Sequence, residues 1–116
     1  MHSEAYAAGE LKHGTISLIE PGTPVIAVMT DRSRILKTAG NIKEVHARGA
    51  KVLCLTFDDV DCTDYADHKM TLPRCSDFIA PIPGVILTQL FAYYVAVGRG
   101  NDVDKPRNLA KSVTVE

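Results

Sequence analysis

Two short apolar runs flanking one amphipathic stretch constrain the fold of this chain more than any other feature of its sequence. Residues 24–30 (PVIAVMT) and residues 51–57 (KVLCLTF) are continuous apolar runs, which is typical of strands buried on both faces. The stretch between them predicts one helix, because Asp31 can cap its start and Gly49 can end it. Strand, helix and strand in this order predict a βαβ unit with parallel strands and a right-handed crossover.

The helix between these strands is predicted to bury one face against the sheet. Its apolar side chains recur at spacings of three and four residues: Ile35, Leu36, Ala39, Ile42 and Val45. Three charged side chains are predicted to point outward: Lys43, Glu44 and Arg48. A periodicity near 3.6 residues therefore supports the helix in the βαβ unit.

Beyond the second strand the sequence predicts a loop, a brief strand and a long helix. Residues 58–68 are acidic and are expected to form a surface loop, and residues 69–73 a third strand. Residues 78–97 are nearly all apolar and predict a helix whose first turn tolerates Pro81 and Pro83. The side chains expected on its broad face against the sheet are Ile86, Leu90, Tyr93, Tyr94 and Val97.

The composition excludes several classes of partner. A formal charge of −1, from 13 basic and 14 acidic side chains, argues against nucleic acid. The long apolar run contains Gln89, two prolines and two tyrosines, so a domain core or a dimer face is favoured over a membrane span. The first ten residues lack the features of a signal peptide, which predicts a cytoplasmic protein.

The cysteines predict neither a disulfide framework nor a metal site. Their count of three is odd and contains no CxxC pair, which fits a reducing compartment. Cys62, His68 and Cys75 could in principle bind a metal with nearby aspartates, but their spacing matches no usual zinc signature. No metal is therefore expected, and no cofactor is expected because the sequence contains no GxGxxG or GKS/GKT string.

Two places in the chain concentrate polar residues that could do chemistry. In residues 4–14, His13 precedes Gly14, and a histidine at such a position can approach a ligand and transfer protons near neutral pH. The alternative is an ordinary helix end. In the tail, Lys111 could attack a carbonyl carbon if it were desolvated, but a lysine in water stays charged and inert. These patterns alone leave the function open.

At these same places the sequence resembles the glucosamine-6-phosphate synthases, also called glutamine:fructose-6-phosphate aminotransferases (isomerising). The strings that carry the resemblance are EAYAAGELKHG at residues 4–14, NIKEVHARGAKV at residues 41–52 and DVDKPRNLAKSVTVE at residues 102–116. They lie at both ends and in the middle, so the resemblance covers essentially the whole chain.

The resemblance implies a fold and a place in a larger enzyme. Residues 1–100 would be the C-terminal portion of the second sugar-isomerase (SIS) domain, and residues 101–116 a C-terminal active-site tail. The implied fold class is α/β, a partial SIS domain with a three-layer αβα arrangement and a short parallel sheet. The glutaminase domain and the first SIS domain would be missing, and the isolated chain is expected to be inactive.

The resemblance also implies roles for particular residues. The family joins ammonia from glutamine to fructose 6-phosphate and isomerises the product to glucosamine 6-phosphate. His13 would help to open the sugar ring, in the active site of the neighbouring subunit of a homodimer formed through the SIS domain. Lys111 would form an imine with the open-chain ketone, Ala110 would line the sugar site, and Arg107 and Asn108 would hold the tail.

The sequence is also compatible with a second function. A parallel sheet of three strands has two open edges and little helix cover, which predicts a fragment or an obligate partner. The chain could therefore be a piece of the synthase, or a free-standing, non-catalytic module that binds a sugar phosphate or mediates dimerisation.

Overall fold

The computed structural model describes residues 2–105, and its centre is a three-stranded parallel sheet. The strands are β1 (Pro24–Val28), β2 (Lys51–Phe57) and β3 (His68–Leu72), in the spatial order β1-β2-β3. Both ladders are parallel, with Val25 opposite Val52 and Leu53 opposite His68. The predicted α/β class and the short parallel sheet are therefore confirmed, although each outer strand starts or ends slightly earlier than expected.

Helix α1 (Ile35–Ala47) connects β1 to β2, as the sequence predicts. A 3₁₀ turn, Arg32–Arg34, precedes it, and the Asp31 carboxylate accepts a hydrogen bond of 3.0 Å from the Ser33 amide. The helix ends at Ala47, two residues before Gly49, whose φ of +90° lies in the region that glycine favours. Gly49 therefore ends the helix as expected, whereas Asp31 caps the 3₁₀ turn that leads into α1 and not α1 itself, whose N-cap is Arg34.

The predicted apolar face of α1 is confirmed except at one position. Ala39, Ile42 and Val45 are buried, whereas Leu36 is 89% exposed, so the expectation that Leu36 is buried is wrong. Successive residues on an α-helix are about 100° apart, which places Leu36 well away from the stripe formed by the other three. Leu36 is exposed because its position on the helix lies outside the buried face.

The acidic segment between β2 and β3 contributes to the core as well as to the surface. Cys62 and Tyr65 are 5% and 4% exposed and pack in the same cluster as Val52 of β2. The Tyr65 hydroxyl donates a hydrogen bond of 3.2 Å to the Asp61 carbonyl oxygen. The expectation of a surface loop is therefore wrong at these two residues, because removing their apolar surface from water is favourable.

Helix α2 (Pro81–Gly98) starts three residues later than expected and has Pro81 and Pro83 in its first turn. The chain divides after Gly84 into two compact units, and α2 spans the division. The five side chains that were predicted to be buried are 44–67% exposed, so that prediction is wrong. Apolar residues lie on all sides of α2, and the sequence therefore contains no polar stripe that would identify a buried face.

The length and apolar composition of α2 would also suffice to cross a membrane. Core helices of soluble proteins meet the same criteria of length and composition, so these two properties do not make α2 a membrane span.

Candidate active site

His13 lies at the end of a 3₁₀ helix that precedes the sheet. This helix is Ala8–His13, a second one is Thr15–Leu18, and Gly14 joins them with φ of +147°. Neither helix contains a buried residue. We call residues 2–18 the N-terminal segment.

Two kinds of contact hold the N-terminal segment to the rest of its unit. Leu11 and Ile16 pack against the buried core cluster. The Lys12 ammonium lies 2.5 Å from the carboxylate of Glu44 on α1. The segment is therefore attached through Leu11, Lys12 and Ile16, while the side chain of His13 is 72% exposed.

The side chain of His13 is paired with that of Glu10. The distance between His13 Nδ1 and Glu10 Oε2 is 2.8 Å, and the Glu10 side chain is 68% exposed. A 3₁₀ helix has about three residues per turn, so side chains three positions apart lie one above the other. The local helix type thus produces the pairing, and the other ring nitrogen, Nε2, is left available to a ligand.

Arg32 connects the loops that follow all three strands. Its backbone amide and its Nη1 donate to the two carboxylate oxygens of Asp77 at 2.8 and 2.9 Å, and its Nη2 lies 3.5 Å from Asp59. The guanidinium carbon lies 3.5 Å from the centre of the buried Phe57 ring. The hydrogen bonds to Asp77 and the charge of Asp59 raise the pKa of Arg32.

This arrangement makes Arg32 a structural connection rather than a free anion site, because two carboxylates already match its charge. Sequence reasoning did not identify it. The available signal was its position after a strand end, where loops of parallel sheets commonly carry functional or linking side chains.

An open depression of about 420 Å³ lies among residues 58–69. Its carboxylates are already engaged: Asp58 accepts from Arg74 at 3.1 and 3.2 Å, Asp61 from Thr63 at 2.8 Å, and Asp67 from Lys51 at 2.8 Å. Within residues 2–105, no three His, Cys, Asp or Glu side chains converge as a metal site requires. The depression carries no evident chemistry.

The buried thiols of the core are also poor candidates for chemistry. Burial, together with the neighbouring Cys62, raises the pKa of the Cys54 thiol to about 12. A thiol in such surroundings stays protonated and is a weak nucleophile. Cys54 and Cys62 are therefore packing residues of the core cluster.

Of the residues that the sequence assigns to the site, only His13 lies in the part of the chain that the structure describes. Lys111, Ala110, Arg107 and Asn108 lie outside the described residues. The approach of His13 and Lys111 to one sugar therefore stays a prediction.

The chain is similar to known enzymes over its full length. It is 53% identical to the glutamine–fructose-6-phosphate aminotransferase (isomerizing) of Clostridium tetani and 52% identical to that of Bacillus subtilis. The enzyme of the same name from Methanosarcina mazei is 48% identical. In each case all of this chain is matched, and it spans 19% of the relative.

The fold has a counterpart among solved structures and a match to a known domain family. The C-terminal domain of glucosamine-fructose-6-phosphate aminotransferase from Francisella tularensis superposes with a TM-score of 0.75 at 36% sequence identity. The match covers 90% of this chain and 30% of that one. Residues 1–99 match the SIS domain family. The chain belongs to the SIS domain family.

Proposed function

We propose that this chain is part of the isomerase half of an enzyme that makes glucosamine 6-phosphate from fructose 6-phosphate and glutamine-derived ammonia. The observation that carries the proposal is the 52–53% identity, over the whole chain, to relatives named for this aminotransferase activity. Because the chain spans only 19% of those relatives, the remaining parts must supply the glutaminase reaction and the first SIS domain.

In this proposal, residues 1–100 are the C-terminal portion of the second SIS domain and residues 101–116 are the active-site tail. The enzyme is a cytoplasmic homodimer formed through its SIS domains, and neither nucleic acid nor a membrane is a partner. The near-neutral formal charge of the chain supports the absence of a nucleic-acid partner.

The proposed chemistry is divided between the two ends of the chain. His13 exchanges a proton with fructose 6-phosphate as its ring opens, and its exposure supports this role because a ligand can reach Nε2. The Nζ of Lys111 attacks the ketone carbon of the open sugar, and the resulting imine forms with loss of water. Ala110 lines the sugar site, while Arg107 and Asn108 hold the tail in place.

The isolated chain is predicted to be inactive, because it lacks the glutaminase domain and the first SIS domain. General acid–base steps contribute about 100- to 10,000-fold each, and the loss of positioning removes more. Catalysis therefore requires the complete polypeptide.

The decisive experiment is the substitution Lys111→Arg in the complete enzyme. Arginine keeps the charge but cannot form an imine, so glucosamine 6-phosphate synthesis should fall by at least about 100-fold. Glutamine hydrolysis should continue, because the substitution leaves the glutaminase domain untouched.

The matched control is Lys37→Arg, the same change at an exposed position on α1. It should leave synthesis unchanged. Normal synthesis in the Lys111→Arg enzyme would refute the role of this lysine.

A further inference from the structure

The strongest unassigned feature outside the core is the pair formed by Glu10 and His13. The carboxylate contacts Nδ1 at 2.8 Å from the turn directly beneath the imidazole. Leu11 and Lys12, which lie between the two, attach the segment to the core cluster and to Glu44. The pair is therefore fixed at its base and open to a ligand at Nε2.

We propose that Glu10 is a positioning residue that orients His13 for proton transfer to and from the sugar. The inference rests on the catalytic role of His13 proposed above. Glu10 acts through the imidazole and does not itself contact the substrate.

The chemical argument starts from the hydrogen-bonding capacity of each group. An ionised carboxylate only accepts hydrogen bonds, so the neutral imidazole must carry its proton on Nδ1 and donate it to Glu10. Nε2 then holds the free lone pair and points away from the carboxylate. A single tautomer and a single ring orientation are thereby selected.

That tautomer suits the opening of a cyclic sugar phosphate. The proton of the anomeric hydroxyl moves to Nε2, and Nε2 returns a proton to the ring oxygen as the bond between that oxygen and the anomeric carbon breaks. No proton is gained or lost overall, and Nδ1–H remains bonded to Glu10 throughout. Without Glu10, part of the imidazole population would carry its proton on Nε2, where it cannot act as a base.

The test uses the complete enzyme with the substitutions Glu10→Ala and Glu10→Gln. Glu10→Ala should lower kcat about tenfold with little change in KM, a part of the 100- to 10,000-fold that acid–base catalysis commonly contributes. Glu10→Gln keeps the size of the side chain, but its amide can also donate to Nδ1 and so favour the other tautomer, and turnover should therefore stay low in this variant as well. The control Glu20→Ala removes an equal charge from an exposed position seven residues after His13 and should leave turnover unchanged.

The double variant shows whether Glu10 acts through His13. Glu10→Ala should have no further effect in an enzyme that already carries His13→Ala. An equal loss in both backgrounds, or normal turnover of Glu10→Ala beside an impaired His13→Ala, overturns the positioning role while the proposed function stands. Normal turnover of His13→Ala overturns the role of His13 itself, and the role of Glu10 with it.

Nitrogen NMR of the His13 ring gives a readout that does not depend on turnover. The ring should carry its proton on Nδ1 in the unchanged protein and should show a mixture of tautomers in Glu10→Ala. The same tautomer ratio in both proteins would overturn the inference.

Discussion

The sheet and the N-terminal segment of the same unit show opposite relations to solvent. Four consecutive residues of β2, from Cys54 to Phe57, are at most 1% exposed, whereas neither 3₁₀ helix of the N-terminal segment has a buried residue. The Thr56 hydroxyl is fully buried and donates to the Met29 carbonyl oxygen at 3.1 Å. The sheet therefore contains the buried side chains that stabilise the unit, whereas the segment exposes its polar groups to solvent.

This difference predicts which substitutions should lower the stability of the fold and which should not. Core side chains make contacts on all sides, so their loss leaves a cavity. A side chain such as His13, paired once and 72% exposed, can be replaced with little effect on folding. Stability and turnover should therefore respond to different parts of this unit.

The largest expected effect on stability comes from Phe57→Ala. Phe57 is fully buried and also supports the guanidinium of Arg32, so its truncation should lower the free energy of unfolding by about 3–5 kcal/mol. Leu18→Ala in the N-terminal segment, where the side chain is 67% exposed, should change it by less than about 0.5 kcal/mol. Urea unfolding measures both, and equal losses would abolish the distinction between the two regions.

The same contrast explains which features could be predicted from the sequence. The β1-α1-β2 unit follows from apolar runs, a cap at Asp31 and a stop at Gly49, because each signal is local. The burial of Cys62 and Tyr65 was missed because acidic neighbours obscured two apolar residues three positions apart. The exposure of α2 could not be predicted, since a helix that is apolar on every side does not specify which side is covered.

The site was predictable only in part. The role of His13 stays a prediction from its place before Gly14 and from the family resemblance, whereas its pairing with Glu10 depends on a 3₁₀ geometry that the sequence does not specify. The contacts of Arg32 join residues up to 45 positions apart, and such pairings arise only when the strand ends meet. Local patterns predict elements better than they predict contacts between elements.

A smaller effect should distinguish two glycines, one beside the sheet and one in the N-terminal segment. A Cβ at Gly49 would lie 3.0 Å from the Cα of Pro21, and φ is +90°, so Gly49→Ala should cost about 2–4 kcal/mol. Gly14 has φ of +147° with no atom within 4 Å of such a Cβ, so Gly14→Ala should cost only the backbone strain of about 1–2 kcal/mol. Thermal unfolding of the two variants tests this order, and a reversed order would show that the segment is packed more tightly than the sheet margin.

The smallest expected effect concerns a charge at the margin of the sheet. Asp67 accepts hydrogen bonds from the Lys51 ammonium and the Val52 amide, both at 2.8 Å, and these contacts lower the pKa of its carboxyl from 3.8 to about 2. A carboxyl whose pKa is lower in the folded state stabilises the fold above its unfolded pKa. That contribution is lost as the pH falls from about 4 towards 2.

Asp67→Asn should therefore be less stable than the unchanged protein at neutral pH, and the difference should shrink between pH 4 and pH 2. Denaturant midpoints measured across that range provide the test. The control is Asp64→Asn, because that carboxylate is 82% exposed and lies 3.7 Å from the Lys43 ammonium. A difference that remains constant down to pH 2 would mean that the Asp67 charge does not stabilise the start of β2, and that the contrast between the two regions rests on apolar burial alone.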